Sequence, residues 1–192
     1  GIAYLLARAS DTLADVEGVE PETKLQALDL FRERSVERLS SIVDEVYQPK
    51  VKLAKERELL RHFGELWQLA EQVEASCVTA VATVVETIIT GQREDVRRFE
   101  IEGGTIESDS ELLHYCYQVA GCVGEFWSEV GVHTQPRFSN ASLEELRQWG
   151  REFGQALQLV NIIRDAPADL EQGRVYIPGM RKLSFEAIKP WM

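Results

Sequence analysis

The chain has 192 residues, of which 44% are hydrophobic, enough for one sizeable core, and its 21 basic and 32 acidic residues leave a net charge of −11. That sign excludes a general nucleic-acid-binding surface, because a phosphate backbone needs a basic footprint. It does not exclude a phosphate ligand, since bound metal ions invert the field of an acidic site. The three cysteines, Cys77, Cys116 and Cys122, are odd in number and lack close metal-ligand spacing, which reads as buried, reduced thiols in a cytoplasmic protein. No signal peptide or apolar run long enough to cross a membrane is expected, and association with a membrane surface stays open. Oligomeric state has no sequence signal.

Residue 1 starts inside an apolar helical pattern with no cap before it, and Lys189-Pro190-Trp191 brings no obvious finish. Residues 1–192 are therefore expected to form one domain, incomplete at both ends. Residues 1 to about 15 read as a helix interior: the apolar run Ile2-Ala3-Tyr4-Leu5-Leu6-Ala7 leads into Arg8, Asp11 and Asp15. Asp11 and Asp15, four apart, share one helical face, with Arg8 one turn earlier. Two such carboxylates repel by about a few tenths of a kcal/mol, a cost that a shared cation reverses.

Gly18 and Pro21 punctuate a loop, and Glu22 to about Val46 returns to helical periodicity, with Leu25, Leu28, Phe31, Val36, Leu39, Ile42, Val43 and Val46 as its apolar stripe. Pro49 ends it. Leu53 to about Val73 is a further predicted helix, with a break near Gly64. From Ala75 to about Phe99 the pattern is apolar on most faces, which places this helix centrally. Its small residues allow either close packing or room for an elongated apolar ligand. At its end Gln92 and Asp95 are three apart and can face inward; a helix-terminal network explains them equally well. Gly103-Gly104-Thr105 marks a loop rather than a phosphate cradle, because it lacks the lysine and the remaining glycines.

Ser108 or Ser110 caps the next helix, whose Gly121 and Gly124 weaken it unless another helix or a ligand approaches closely. Tyr115 and Gln118 are then candidates to face a pocket. His62, His114 and His133 are isolated and read as structural. Ser142 to Glu145 forms a capping box for a helix that carries Leu146, Trp149, Phe153, Leu157, Val160 and Ile163 toward packing. On another stripe, Asn161, Asp165 and Asp169 recur every four residues, with Arg164 and Arg174 nearby. Hard divalent cations take such oxygens, Mg2+ commonly through one or two carboxylates together with substrate phosphates. A solvated, salt-bridged helix end fits the same residues. Pro167 disfavours helix at Ala166, so Asp169 is expected on a kinked or restarted turn. If the two acidic helices lie antiparallel, four carboxylates can face one another across a cavity.

Four stretches together carry a resemblance: Arg8-Ala9-Ser10-Asp11-Thr12-Leu13-Ala14-Asp15, Tyr115-Cys116-Tyr117-Gln118-Val119-Ala120-Gly121, Asn161-Ile162-Ile163-Arg164-Asp165, and Gly173-Arg174-Val175-Tyr176-Ile177-Pro178. In order and spacing they resemble the squalene/phytoene synthase family, and the Asp11-Thr12 form of the first looks most like a bacterial squalene synthase. The resemblance implies an all-α, isoprenoid-synthase-type helical bundle around a central apolar cavity. It implies Mg2+-binding roles for Asp11, Asp15, Asp165 and Asp169, with Asn161 beside the second pair. Arg8, Arg164 and Arg174 would hold diphosphate, and Tyr115 would lie near the reacting carbons, with Gln118 facing the substrate.

The implied reaction is a prenyl transfer joining two farnesyl diphosphates head to head, through a cyclopropyl diphosphate, to squalene. NADPH as hydride donor comes from the resemblance alone. Phytoene, dehydrosqualene or hydroxysqualene are alternative products, with another prenyl diphosphate as an alternative substrate. A catalytically silent helical scaffold of the same descent is the reading from a different class.

Overall fold

Residues 1–180 are described by a computed structural model, and among them every regular element is helical. The expectations for Lys189-Pro190-Trp191 lie outside the described residues. The chain divides into two compact units, Gly1–Val96 and Arg97–Met192.

In the first unit, α1 (Ile2–Asp15) buries Leu6, Ala9, Ser10 and Leu13 on one face. Proline at the first position of α2 (Pro21–Arg32) lacks only an N–H that would have no helical partner there. The helix expected from 22 to 46 is broken after Arg32 and resumes as α3 (Val36–Ile42), followed by a π-turn at Val43–Tyr47. The cause is Arg34, whose φ of 57° lies in the left-handed region. Arg34 N–H donates to Phe31 O at 3.1 Å and Ser35 N–H to Leu30 O at 2.9 Å, the paired closure that usually recruits glycine. Here the arginine is held in that conformation from outside: its guanidinium lies 4.5 Å from the Trp67 ring centre and 2.7 Å from Glu71.

Tyr47 is fully buried and donates its hydroxyl to Leu13 O at 2.9 Å, tying the π-turn to α1. The predicted break near Gly64 falls at His62, between α4 (Ala54–Arg61) and α5 (Phe63–Glu71). Within this unit α6 (Ala75–Asp95) packs against α1, α2 and α5. The expected lack of an apolar run long enough to cross a membrane does not hold. Ala75–Ile101, counting the π-turn Val96–Ile101, is long and apolar enough to cross a membrane, yet half of its most apolar window is buried within the protein. Its apolarity serves a core.

In the second unit, the Ser108 hydroxyl caps α7 (Asp109–Cys116), accepting Glu111 N–H at 3.2 Å. A π-turn at Tyr117–Gly121 leads into α8 (Cys122–Thr134), and α9 (Leu143–Glu171) opens on the predicted Ser142–Glu145 capping box. Gly124 of α8 and Gly154 of α9 answer to close helix approach: a Cβ on Gly124 would sit 1.8 Å from Gly150 O, and one on Gly154 would sit 2.3 Å from Ala120 O. Helix α9 therefore packs by backbone contact; of the expected apolar stripe Ile163 packs against the core, and four other members do not. Trp149, Phe153, Leu157 and Val160 are 54%, 66%, 50% and 61% exposed. Near its other end Ile162 and Ala166 join Ile106, Leu112, Cys116, Tyr176, Ile177 and Met180 in the core of this unit. All three cysteines are buried and unbridged.

Candidate active site

Helical geometry puts Asp11 and Asp15 of α1 one turn apart, in a cleft of about 260 Å³ that Arg8, Lys50, Lys52 and Glu56 also line. Burial pushes the Asp11 carboxyl up from its ordinary 3.8 to about 6, and the charge of Asp15 adds to the push. Opposing it, Gln92 Nε2 of α6 donates to Asp11 Oδ1 at 2.5 Å, and Arg8 contributes positive charge. Arg8 itself pairs with Glu56, a partner the sequence did not indicate. Lys52 Nζ lies 2.7 Å from a Glu17 carboxylate oxygen. Lys50, Lys52 and Glu56 had no sequence signal as site residues; burial of Tyr47 and Val51 fixes the backbone that presents the lysines.

The raised Asp11 pKa has a consequence for stability. The fold favours the protonated acid, so its contribution is intact below about pH 4 and is lost as pH rises through about 6. In chelator-treated buffer near pH 7, Asp11→Asn is expected to raise the free energy of unfolding by on the order of 2–3 kcal/mol. The gain should vanish near pH 4. Urea titrations across this pH range measure it; an equal gain at both ends would remove the carboxyl as its source.

In the second unit, Asn161, Asp165 and Asp169 lie at four-residue steps on α9. That helix continues through Pro167 to Glu171, so Asp169 does not stand on a restarted turn. Arg164 forks onto Asp165, with Nε–Oδ1 at 2.7 Å and Nη2–Oδ2 at 2.5 Å, and this bond holds the carboxyl below the usual carboxylate range. Burial raises Asp169, against the pull of Arg174. Arg174 also lies 3.6 Å from Glu100. Asn161 Nδ2 donates to Gln158 Oε1 at 3.4 Å. The Tyr115 ring centre is 5.0 Å from that of Tyr176, which in turn is 4.7 Å from Phe99. Gln118 is buried, and its Oε1 has no hydrogen-bond partner among the described residues.

Each unit thus brings an acidic pair together with arginine. Among the described residues no group of three or more His, Cys, Asp or Glu side chains forms a metal cage. Paired carboxylates still fit Mg2+, which completes its shell with water and substrate phosphate oxygens.

The family model for squalene/phytoene synthase matches residues 1–181, both acidic pairs included. The chain belongs to the squalene/phytoene synthase family. It is 26% identical over 175 residues to squalene synthase ERG9 of Gibberella zeae, covering 91% of this chain and 36% of that protein. It is 39% identical over 79 residues to 4,4'-diapophytoene synthase of Staphylococcus haemolyticus, covering 41% of this chain and 25% of the relative. With phytoene synthase of Thermus thermophilus identity is 41% over 71 residues, 37% of this chain and 22% of the other. Two solved structures, described as TcSQS complexes with ligands E5700 and BPH1237, each match with a TM-score of 0.63. They are 23% and 22% identical, covering 92% and 98% of this chain and 48% and 53% of theirs. The all-α fold is therefore the isoprenoid-synthase helical fold of the squalene synthases. The chain spans about a third of the first relative and about half of each solved structure.

Proposed function

We propose that the protein carrying this chain is a Mg2+-dependent prenyltransferase that condenses two farnesyl diphosphates head to head, through a cyclopropyl diphosphate, to squalene. The observation that carries this reading is the Asp11–Asp15 pair, Asp11 partly buried and Asp15 exposed, in a cleft that also presents Arg8, Lys50 and Lys52, within a chain whose residues 1–181 the family model matches. An acidic pair whose members repel one another is poised for a cation, and the basic groups beside it suit a polyphosphate. Bound Mg2+ would neutralise charge developing on a departing diphosphate.

The chain's own residues supply the rest. Asp11 and Asp15 would hold Mg2+ in the first unit, and Asp165 and Asp169 would do so in the second, with Asn161 offering an amide oxygen. Arg8, Arg164 and Arg174 bind diphosphate oxygens, for which a guanidinium presents a fixed fork of donors. Arg164 must leave Asp165 or share it to do so. The face of Tyr115, stacked on Tyr176, offers negative charge density to an allylic cation while excluding water. Gln118 contributes a buried carbonyl oxygen toward substrate. Going from the cyclopropyl diphosphate to squalene also consumes a hydride, which NADPH would supply; no described residue is assigned to holding it.

Local identities of 39% and 41% to the diapophytoene and phytoene synthases favour a second reading, formation of a dehydrosqualene- or phytoene-type product. Incubating the intact protein with farnesyl diphosphate and Mg2+, with and without NADPH, and identifying the hydrocarbon tests both. Squalene formed only with NADPH is the expected result. A desaturated C30 or C40 product, or hydroxysqualene, replaces it with the corresponding synthase. Absence of both Mg2+-dependent substrate binding and turnover would leave a silent scaffold.

A further inference from the structure

Gln92 stands on the last turns of α6, a helix otherwise buried through Val81, Val84, Val85, Ile88 and Ile89, and is itself only 8% exposed. Its amide is half used. Nε2 donates to Asp11 Oδ1 across the packed α1 and α6, whereas Oε1 is buried without a hydrogen-bond partner among the described residues. A buried acceptor left unpaired is costly, and a leucine or methionine of similar volume would fill the space without that cost. Packing therefore does not account for glutamine here. The orientation of the amide follows from chemistry: an ionised aspartate only accepts, so the NH2 end must face it. One carboxylate oxygen of Asp11 is thereby fixed, and the side chain is held in one rotamer at the wall of the cleft it lines with Asp15.

We propose that Gln92 is a positioning residue for cation binding. By holding Oδ1 it sets the orientation in which Asp11 presents its remaining coordination capacity to a divalent cation arriving with diphosphate. The inference rests on the reading of the Asp11–Asp15 cleft as the metal–diphosphate site. Groups that orient a ligand in this way typically change metal affinity roughly 10-fold to 100-fold when removed.

Mn2+ is the probe, titrated into the intact protein with inorganic diphosphate and followed by electron paramagnetic resonance, for the wild type, Gln92→Leu, Gln92→Met and Asp11→Asn. Both Gln92 variants should bind Mn2+ at least about tenfold more weakly, with a thermal midpoint at or above that of the wild type. In turnover, the Mg2+ concentration for half-activation should rise by the same factor, while kcat at saturating Mg2+ stays within about twofold of the wild type. A residue that only packs would move the thermal midpoint and leave the cation titration in place. Wild-type Mn2+ affinity in both Gln92 variants, with affinity lost in Asp11→Asn, overturns the inference and keeps the reading of the cleft. Wild-type affinity in Asp11→Asn overturns the reading and the inference together. If neither Gln92 variant folds, Gln92 is a structural residue and the proposal fails.

Discussion

Asp165→Asn is expected to lower Mg2+-dependent release of diphosphate from farnesyl diphosphate by on the order of 10²–10³-fold, and Asp11→Asn by a similar factor. The amide keeps the shape of the side chain and removes the charge. For Asp165 the change is well isolated, because the residue is half-exposed and its recorded partner is the adjacent Arg164. Little stability should be lost with it, since an exposed ion pair gains little over its separately hydrated partners. Asp44→Asn, an exposed change on the Val43–Tyr47 π-turn, serves as the control. A coupled diphosphate assay at saturating Mg2+ decides the matter: turnover equal to the wild type would remove these aspartates from the metal-binding role.

Gly124→Ala should be the most damaging single methyl group in the second unit. Its Cβ would lie 1.8 Å from Gly150 O and 2.3 Å from the Gly150 carbonyl carbon, so α8 and α9 would have to separate. Overpacking of a well-filled interior costs about 1–3 kcal/mol, and the backbone clash puts this change at about 3 kcal/mol or beyond. Gly64→Ala gives the contrast. There the nearest atoms are the Val36 methyls at 3.1 Å, which can shift, and the gain in helix propensity of about 1 kcal/mol opposes the strain. Urea midpoints followed by circular dichroism compare the two; a Gly124→Ala midpoint equal to the wild type would contradict the close approach.

The sequence made some of this legible because the signals are local. Caps at Ser108 and Ser142 depend on a residue and its neighbour three positions on, and both form. The four-residue steps of the acidic pairs need only helical geometry, and even Pro167 does not interrupt theirs. What stayed hidden depends on partners far along the chain. Arg34 ends α2 in the left-handed region because Trp67 and Glu71 hold it, and no glycine marks the spot. Trp149, Phe153, Leu157 and Val160 have a periodicity that reads as a packing face. The glycines beside them let two backbones touch instead, and that contact decides which side of α9 turns inward. Gln92 reaches Asp11 over a separation of 81 residues, which periodicity within one helix does not reveal.

The wide turn at Tyr117–Gly121 holds one residue more than an ordinary helical turn would. Tyr115 before it and Gly124 after it therefore belong to two rods whose faces are set independently. The glycine seam runs into the turn itself, where a Cβ on Gly154 would meet Ala120 O, so the extra residue is the joint that reconciles the aromatic stack on one side with the backbone contact on the other.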